Sequence, residues 1–130
     1  MRIAHLVTAH ANHSQLRRLI ESMQHPDADF CLFIDGKVDL TPFLALSCLP
    51  QVNFIRQRVP IRWGTYGIVQ STLLGVREIL TTGRPYDYIN LLSGSDYPLK
   101  STALIHEYLT THPRCVSRAT APSTRIGQLQ

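Results

Sequence analysis

Residues 2–35, RIAHLVTAHANHSQLRRLIESMQHPDADFCLFID, decide the fold, because they read as a strand, a helix and a second strand in succession. The first seven (RIAHLVT) form a short apolar run rich in β-compatible side chains, and the switch to polar residues at His10, Asn12 and His13 marks its end. Ser14 is placed to cap a helix. Leu16, Leu19, Ile20 and Met23 then recur at i, i+3, i+4 and i+7, with Arg17, Arg18 and Glu21 outside the stripe, which predicts a helix over 14–24. His25-Pro26-Asp27 breaks it, since proline pushes its predecessor out of the α region. Residues 29–35 (DFCLFID) return as a strand closed by Gly36.

The pattern continues downstream. Thr41-Pro42 opens a helix that Pro50 ends, and residues 52–55 (VNFI) are a third strand. After Arg56-Gln57-Arg58 and a loop containing Trp63-Gly64 comes the strongest helical pattern, with Val69, Leu73, Leu74, Val76, Ile79 and Leu80, stopping at Gly83-Arg84-Pro85. Residues 86–92 (YDYINLL) give a fourth strand running into Ser93-Gly94-Ser95-Asp96, and Ser101 begins a last helix through Leu109. Alternation of this kind predicts an α/β fold: a Rossmann-like, mainly parallel sheet with helices on both faces and ligand chemistry at the carboxyl ends of the strands. Residues 1–111 read as one domain. Residues 112–130 lack apolar periodicity and are rich in Thr, Ser, Arg and Pro, so an irregular, disordered tail is expected there.

Composition narrows the function classes. A chain of 130 residues, 44% hydrophobic, has apolar material for one core and not for two domains. Charged residues at 17% fit neither a solvated disordered chain nor a coiled coil. The net charge is +4, but Arg114, Arg118 and Arg125 lie in the tail, leaving ten Lys and Arg against nine Asp and Glu in residues 1–111. That near-neutral body argues against nucleic acid as a partner. Cys31, Cys48 and Cys115 are widely spaced with no CxxC, which points to a reducing compartment. The N-terminal apolar run is too short for a signal peptide, and no 18-residue apolar run follows it. The expectation is a cytoplasmic protein that meets the inner face of a membrane peripherally, through a partner or substrate.

Several familiar motifs are missing: GxGxxG after the first strand, GxxxxGK[ST], and GxSxG at a strand-to-helix elbow. What remains sits at the strand ends. Asp35 is placed to accept hydrogen bonds from a uracil N–H or a ribose hydroxyl, or to close an Asx-turn over Gly36-Lys37. His10 is placed to stack on or bond to a base, or simply to cap a neighbouring helix or face water. Ser93, Gly94, Ser95 and Asp96 combine a close backbone approach with hydroxyls and a carboxylate; the bland alternative is a loop in which Asp96 binds backbone amides. Trp63 is either a platform for a sugar or a plug in the core. Arg56, Arg58, Arg62 and Lys100 either neutralise a diphosphate or are merely solvated.

Taken together, IAHLVTAHANHSQLRRLI, HPDADFCLFID, VNFI, RWGTYGIVQSTLLGVREIL and YDYINLLSGSDYPLKS resemble the N-terminal half of the branching β-1,6-N-acetylglucosaminyltransferase family, which includes the peptide O-xylosyltransferases. The resemblance covers residues 2–111, and LLSGSDYPLKS is its most specific part. It implies a GT-A fold and a UDP-sugar donor, UDP-GlcNAc or UDP-xylose. It also implies a glycan or protein acceptor, inversion at the anomeric carbon, no cofactor and no divalent metal. The SGSD segment lacks the second aspartate of a DxD motif. On this resemblance Val7 and His10 line the uracil site, Asp35 binds the base or ribose, and Ser93, Gly94, Ser95 and Asp96 lie near the ribose and the transferred sugar. Trp63, Arg58 and Lys100 are further candidates for sugar or phosphate contacts. The family's general base is a Glu of the C-terminal half, as are its diphosphate-binding Arg and Lys. The expectation is therefore a truncated chain that keeps part of a nucleotide pocket without turnover. A stand-alone α/β regulatory module of receiver type is the alternative, although Thr8-Ala9-His10 stands where a receiver carries its acidic pair.

Overall fold

The computed structural model of the chain describes residues 1–61 and 67–111. Four strands, β1 (Ile3–Ala9), β2 (Ala28–Ile34), β3 (Val52–Phe54) and β4 (Tyr88–Ser93), form one sheet in the order β3-β2-β1-β4, and every pairing is parallel. They alternate with helices α1 (His13–Ser22), α2 (Thr41–Leu44, continued as a 3₁₀ turn over Ala45–Cys48), α3 (Gly67–Thr81) and α4 (Thr102–Thr111). The α/β arrangement expected from the sequence is therefore present. Its strand order differs from the 2-1-3-4 order of receiver-type folds, because β1 pairs with β2 and β4 and not with β3.

Side chains alternate across the pleat, so each strand feeds two cores. Val7, Ala9, Phe30, Leu32 and Ile34 point to one face and are covered by Leu16, Leu19 and Ile20 of α1, Phe43 of α2 and Ile105 of α4. Ala4, Leu6, Cys31 and Phe33 point to the other face, under Val76 and Ile79 of α3. Burial on both faces explains why β1 and β2 read as continuous apolar runs.

The boundaries depart from expectation where polar side chains intervene. Asn12, not Ser14, caps α1: its Oδ1 accepts the Gln15 N–H at 3.3 Å, and its φ of 54° is a conformation that Asn tolerates better than Ser. β4 starts at Tyr88 rather than at residue 86, because Asp87 turns to Arg2, whose N–H its carboxylate accepts at 2.9 Å. Ser101 does cap α4, its Oγ accepting from the Leu104 N–H at 3.3 Å. No helix among the described residues is long and apolar enough to cross a membrane. The expected tail over 112–130 lies outside the described residues.

Candidate functional site

In the order 3-2-1-4, β1 is where the connections change direction, and the crevice at the carboxyl ends of β1 and β4 is the usual place for a ligand in an open parallel sheet. The register sets Ala9 opposite Ile34 and Thr8 opposite Ser93. His10, Asp35 and Gly94–Asp96 consequently emerge along one edge, with the β2 and β4 flanks roughly 10 Å apart across β1.

On the β4 flank, the Gly94 N–H donates to the Thr8 carbonyl at 2.8 Å. A Cβ at Gly94 would stand 3.0 Å from the Ala9 Cβ, so only glycine lets this loop close over the end of β1 without displacing it. Asp96 Oδ2 accepts the Ser93 N–H at 2.9 Å, and the Ser93 and Ser95 hydroxyls meet at 3.0 Å. Gln15 Nε2 donates to the Ser95 carbonyl at 3.0 Å, which ties the loop to the first turn of α1. Asp96 thus binds a backbone amide, the blander of the two sequence readings, yet Ser93, Ser95 and Asp96 all remain exposed on a preformed loop.

On the β2 flank, Asp35 is 3% exposed. Its Oδ1 accepts the N–H groups of Lys37 and Ile61, each at 3.0 Å, and its Oδ2 faces the Lys37 ammonium at 3.6 Å. Burial alone would raise the pKa of this carboxyl, but the two amides and the lysine outweigh it and hold the group below its ordinary value. The Asx-turn over Gly36-Lys37 is therefore real, and the same oxygen also gathers in residue 61, a partner 26 positions away that no local pattern announces.

Other candidates fall in different places. His10 is exposed at the tip of β1. Val7 is fully buried under α1, so its side chain belongs to the core and does not reach the edge. Lys100 is exposed beside α4, along an apolar groove. Arg58 turns back onto the β2 flank: its Nε donates to the Ile34 carbonyl at 3.1 Å and its Nη2 to those of Asp35 and Val38 at 2.8 and 2.6 Å. Arg62 and Trp63 lie outside the described residues. Among those residues, no group of three or more His, Cys, Asp or Glu side chains converges as metal ligands would.

Two cavities lie away from this edge. One of about 520 Å³ is lined by Cys31, Arg56, Glu78, Thr81 and Arg84, between β3 and the end of α3. Burial pushes the Cys31 thiol up to about 12, which makes it inert as a nucleophile. The other, about 570 Å³, is the groove along α4 formed by Leu104, Ile105, Tyr108 and Leu109. The first cavity gathers polar and charged side chains of its own, Arg56, Glu78, Thr81 and Arg84, but off the switch point of the sheet, whereas the α4 groove is mainly apolar.

A family model described as Core-2/I-Branching enzyme matches residues 3–124, extending past residue 111, where the resemblance of the motifs ends. The chain is 27% identical over 105 residues to the Bos taurus beta-1,3-galactosyl-O-glycosyl-glycoprotein beta-1,6-N-acetylglucosaminyltransferase 3, covering 78% of this chain and 24% of that protein. The Homo sapiens protein of the same description is also 27% identical over 105 residues, with the same shares covered. The Mus musculus N-acetyllactosaminide beta-1,6-N-acetylglucosaminyl-transferase is 25% identical over 111 residues, covering 82% of this chain and 28% of that one. The chain spans about a quarter of the length of these curated relatives.

Proposed function

The chain belongs to the Core-2/I-Branching enzyme family, and we propose that it forms the nucleotide-sugar-binding part of a glycosyltransferase. The donor is a UDP-sugar, UDP-GlcNAc in preference to UDP-xylose because the matched relatives are named as N-acetylglucosaminyltransferases. The acceptor is a hydroxyl of a glycan or protein. The observation that carries this reading is the switch-point edge, where His10, the Asp35 turn and the Ser93–Asp96 loop follow the ends of three adjacent strands and the Gly94–Thr8 bond closes the loop onto β1.

Each flank has a separate task. The β2 flank, rigid and backbone-lined, suits the uracil and ribose. The Ser93–Asp96 loop offers hydroxyls towards the ribose and the transferred sugar. Transfer with inversion needs a carboxylate that takes the acceptor's proton as its oxygen attacks the anomeric carbon, a contribution of roughly 10²–10⁴-fold. Asp35 does not suit that task. A carboxylate already holding two amides and sitting below its ordinary pKa is a weak base, so it shapes the pocket and the base comes from a Glu of the family's C-terminal half. Donor binding in this reading is independent of divalent metal.

Calorimetric titration with UDP, with and without EDTA, tests the reading. Saturable binding that EDTA leaves unchanged, that Asp35→Asn weakens and that ADP does not reproduce is the expected outcome. No binding at millimolar UDP, or binding abolished by EDTA, would overturn it.

A further inference from the structure

Among the described residues, Arg58 is the candidate phosphate contact whose guanidinium is committed elsewhere, and its bonds have a specific cause. β3 ends at Phe54, and its last ladder bond runs from the Ile55 N–H to the Leu32 carbonyl. Carbonyls on the same side of β2 recur every second residue, so the next is that of Ile34, and β3 has no strand residue left to meet it. Arg58 Nε fills that place at 3.1 Å, while Nη2 spans the carbonyls of Asp35 and Val38 at the two ends of the turn. The turn's own bond, Val38 N–H to the Asp35 carbonyl at 3.1 Å, is enclosed by this clamp. Gly36 N–H to the Val59 carbonyl and Ile61 N–H to Asp35 Oδ1, both 3.0 Å, lash the following residues to the same turn. Only the Nη1 edge of the guanidinium lies outside these bonds, so the planar fork that grips a phosphate is already occupied.

We infer that Arg58 is a positioning residue for the base-and-ribose flank of the nucleotide site and not a ligand of the diphosphate. The inference rests on the nucleotide-sugar reading above. It separates two roles that differ in which part of the ligand feels the loss: a phosphate ligand discriminates UDP from uridine, whereas a clamp on the Asp35–Val38 turn affects every ligand that carries the uridine moiety equally.

Dissociation constants for uridine, UMP and UDP are measured with the wild-type chain, Arg58→Lys and Arg58→Ala, well below each protein's unfolding temperature. Both variants are expected to weaken all three ligands by one common factor of roughly ten. Lysine should not rescue, because one ammonium cannot span three carbonyls. A loss that grows from uridine to UDP, or rescue by Arg58→Lys, would overturn the inference by making Arg58 a phosphate ligand. Unchanged affinities would overturn it too, as would variants that no longer fold, since the effect is assigned to the turn alone. A wild-type chain that binds none of the three refutes the nucleotide reading itself; wild-type binding with unaltered variants refutes only the role of Arg58.

Discussion

Gly36→Ala is the sharpest test of how the β2 flank is built. The glycine is required for space: an added Cβ would stand 2.9 Å from the Val59 carbonyl carbon and 3.1 Å from the Pro60 nitrogen, both backbone atoms. Carbon atoms pack at about 3.5–4.0 Å, so residues 58–61 must retreat by roughly 0.6–1 Å. Such a shift stretches the 3.0 Å bonds from Gly36 to Val59 and from Ile61 to Asp35 past useful hydrogen-bond length. Overpacking costs about 1–3 kcal/mol, and loss of an amide bond to a charged acceptor adds roughly 1.5 kcal/mol, so a destabilisation of about 3 kcal/mol is expected. Urea unfolding reads this as a lower midpoint at unchanged slope. Hydrogen exchange should show the Ile61 amide losing protection while the centre of β1 keeps it. Asp35, with one amide fewer, should titrate closer to an ordinary carboxyl. A variant within about 0.5 kcal/mol of wild type, with Ile61 still protected, would refute the reasoning.

Asn12→Ala should cost about 1–2 kcal/mol, since it removes the cap on Gln15 and leaves alanine at a φ of 54°, whereas Asn12→Gly should cost less; thermal melts that reverse this order would contradict the account. His5 is 1% exposed, and burial, with a smaller push from His106, lowers its pKa to about 4. The unfolded imidazole takes its proton near pH 6.5, so stability is full above that value and falls by up to about 1.4 kcal/mol per pH unit as pH drops from 6.5 towards 4. His106 shifts in the same direction, and His5→Leu should make the urea midpoint less steep over that window without abolishing the slope. In thiol labelling, exposed Cys48 should react under native conditions and buried Cys31 only on unfolding.

The strands and helices were legible because burial leaves a period. DFCLFID is apolar on both faces since α1 and α3 cover opposite sides of β2, and the stripe Leu16, Leu19, Ile20 is the face α1 lays on that sheet. The edge was legible to the extent that it follows from the sheet: His10, Asp35 and Ser93–Asp96 stand where parallel strands end. Two things left no trace in the sequence. Arg58 bonds carbonyls about twenty residues earlier, and Asp35 holds the Ile61 amide; neither has a spacing rule, because both depend on β3 stopping at Phe54. Val7 is the converse case. The resemblance assigned it to the uracil site, but it lies two residues short of the end of β1, where both faces of the sheet are covered, and its side chain packs in the core.

The central claim is that uridine nucleotides bind across the carboxyl ends of β1, β2 and β4. Amide chemical-shift mapping during a UDP titration tests it most directly. Shifts concentrated at His10, Gly36–Val38 and Gly94–Asp96, with Asn53, Glu78, Leu104 and Leu109 unmoved, are the expected result. Shifts centred on the β3–α3 cavity or the α4 groove, with the strand-end amides silent, would contradict it.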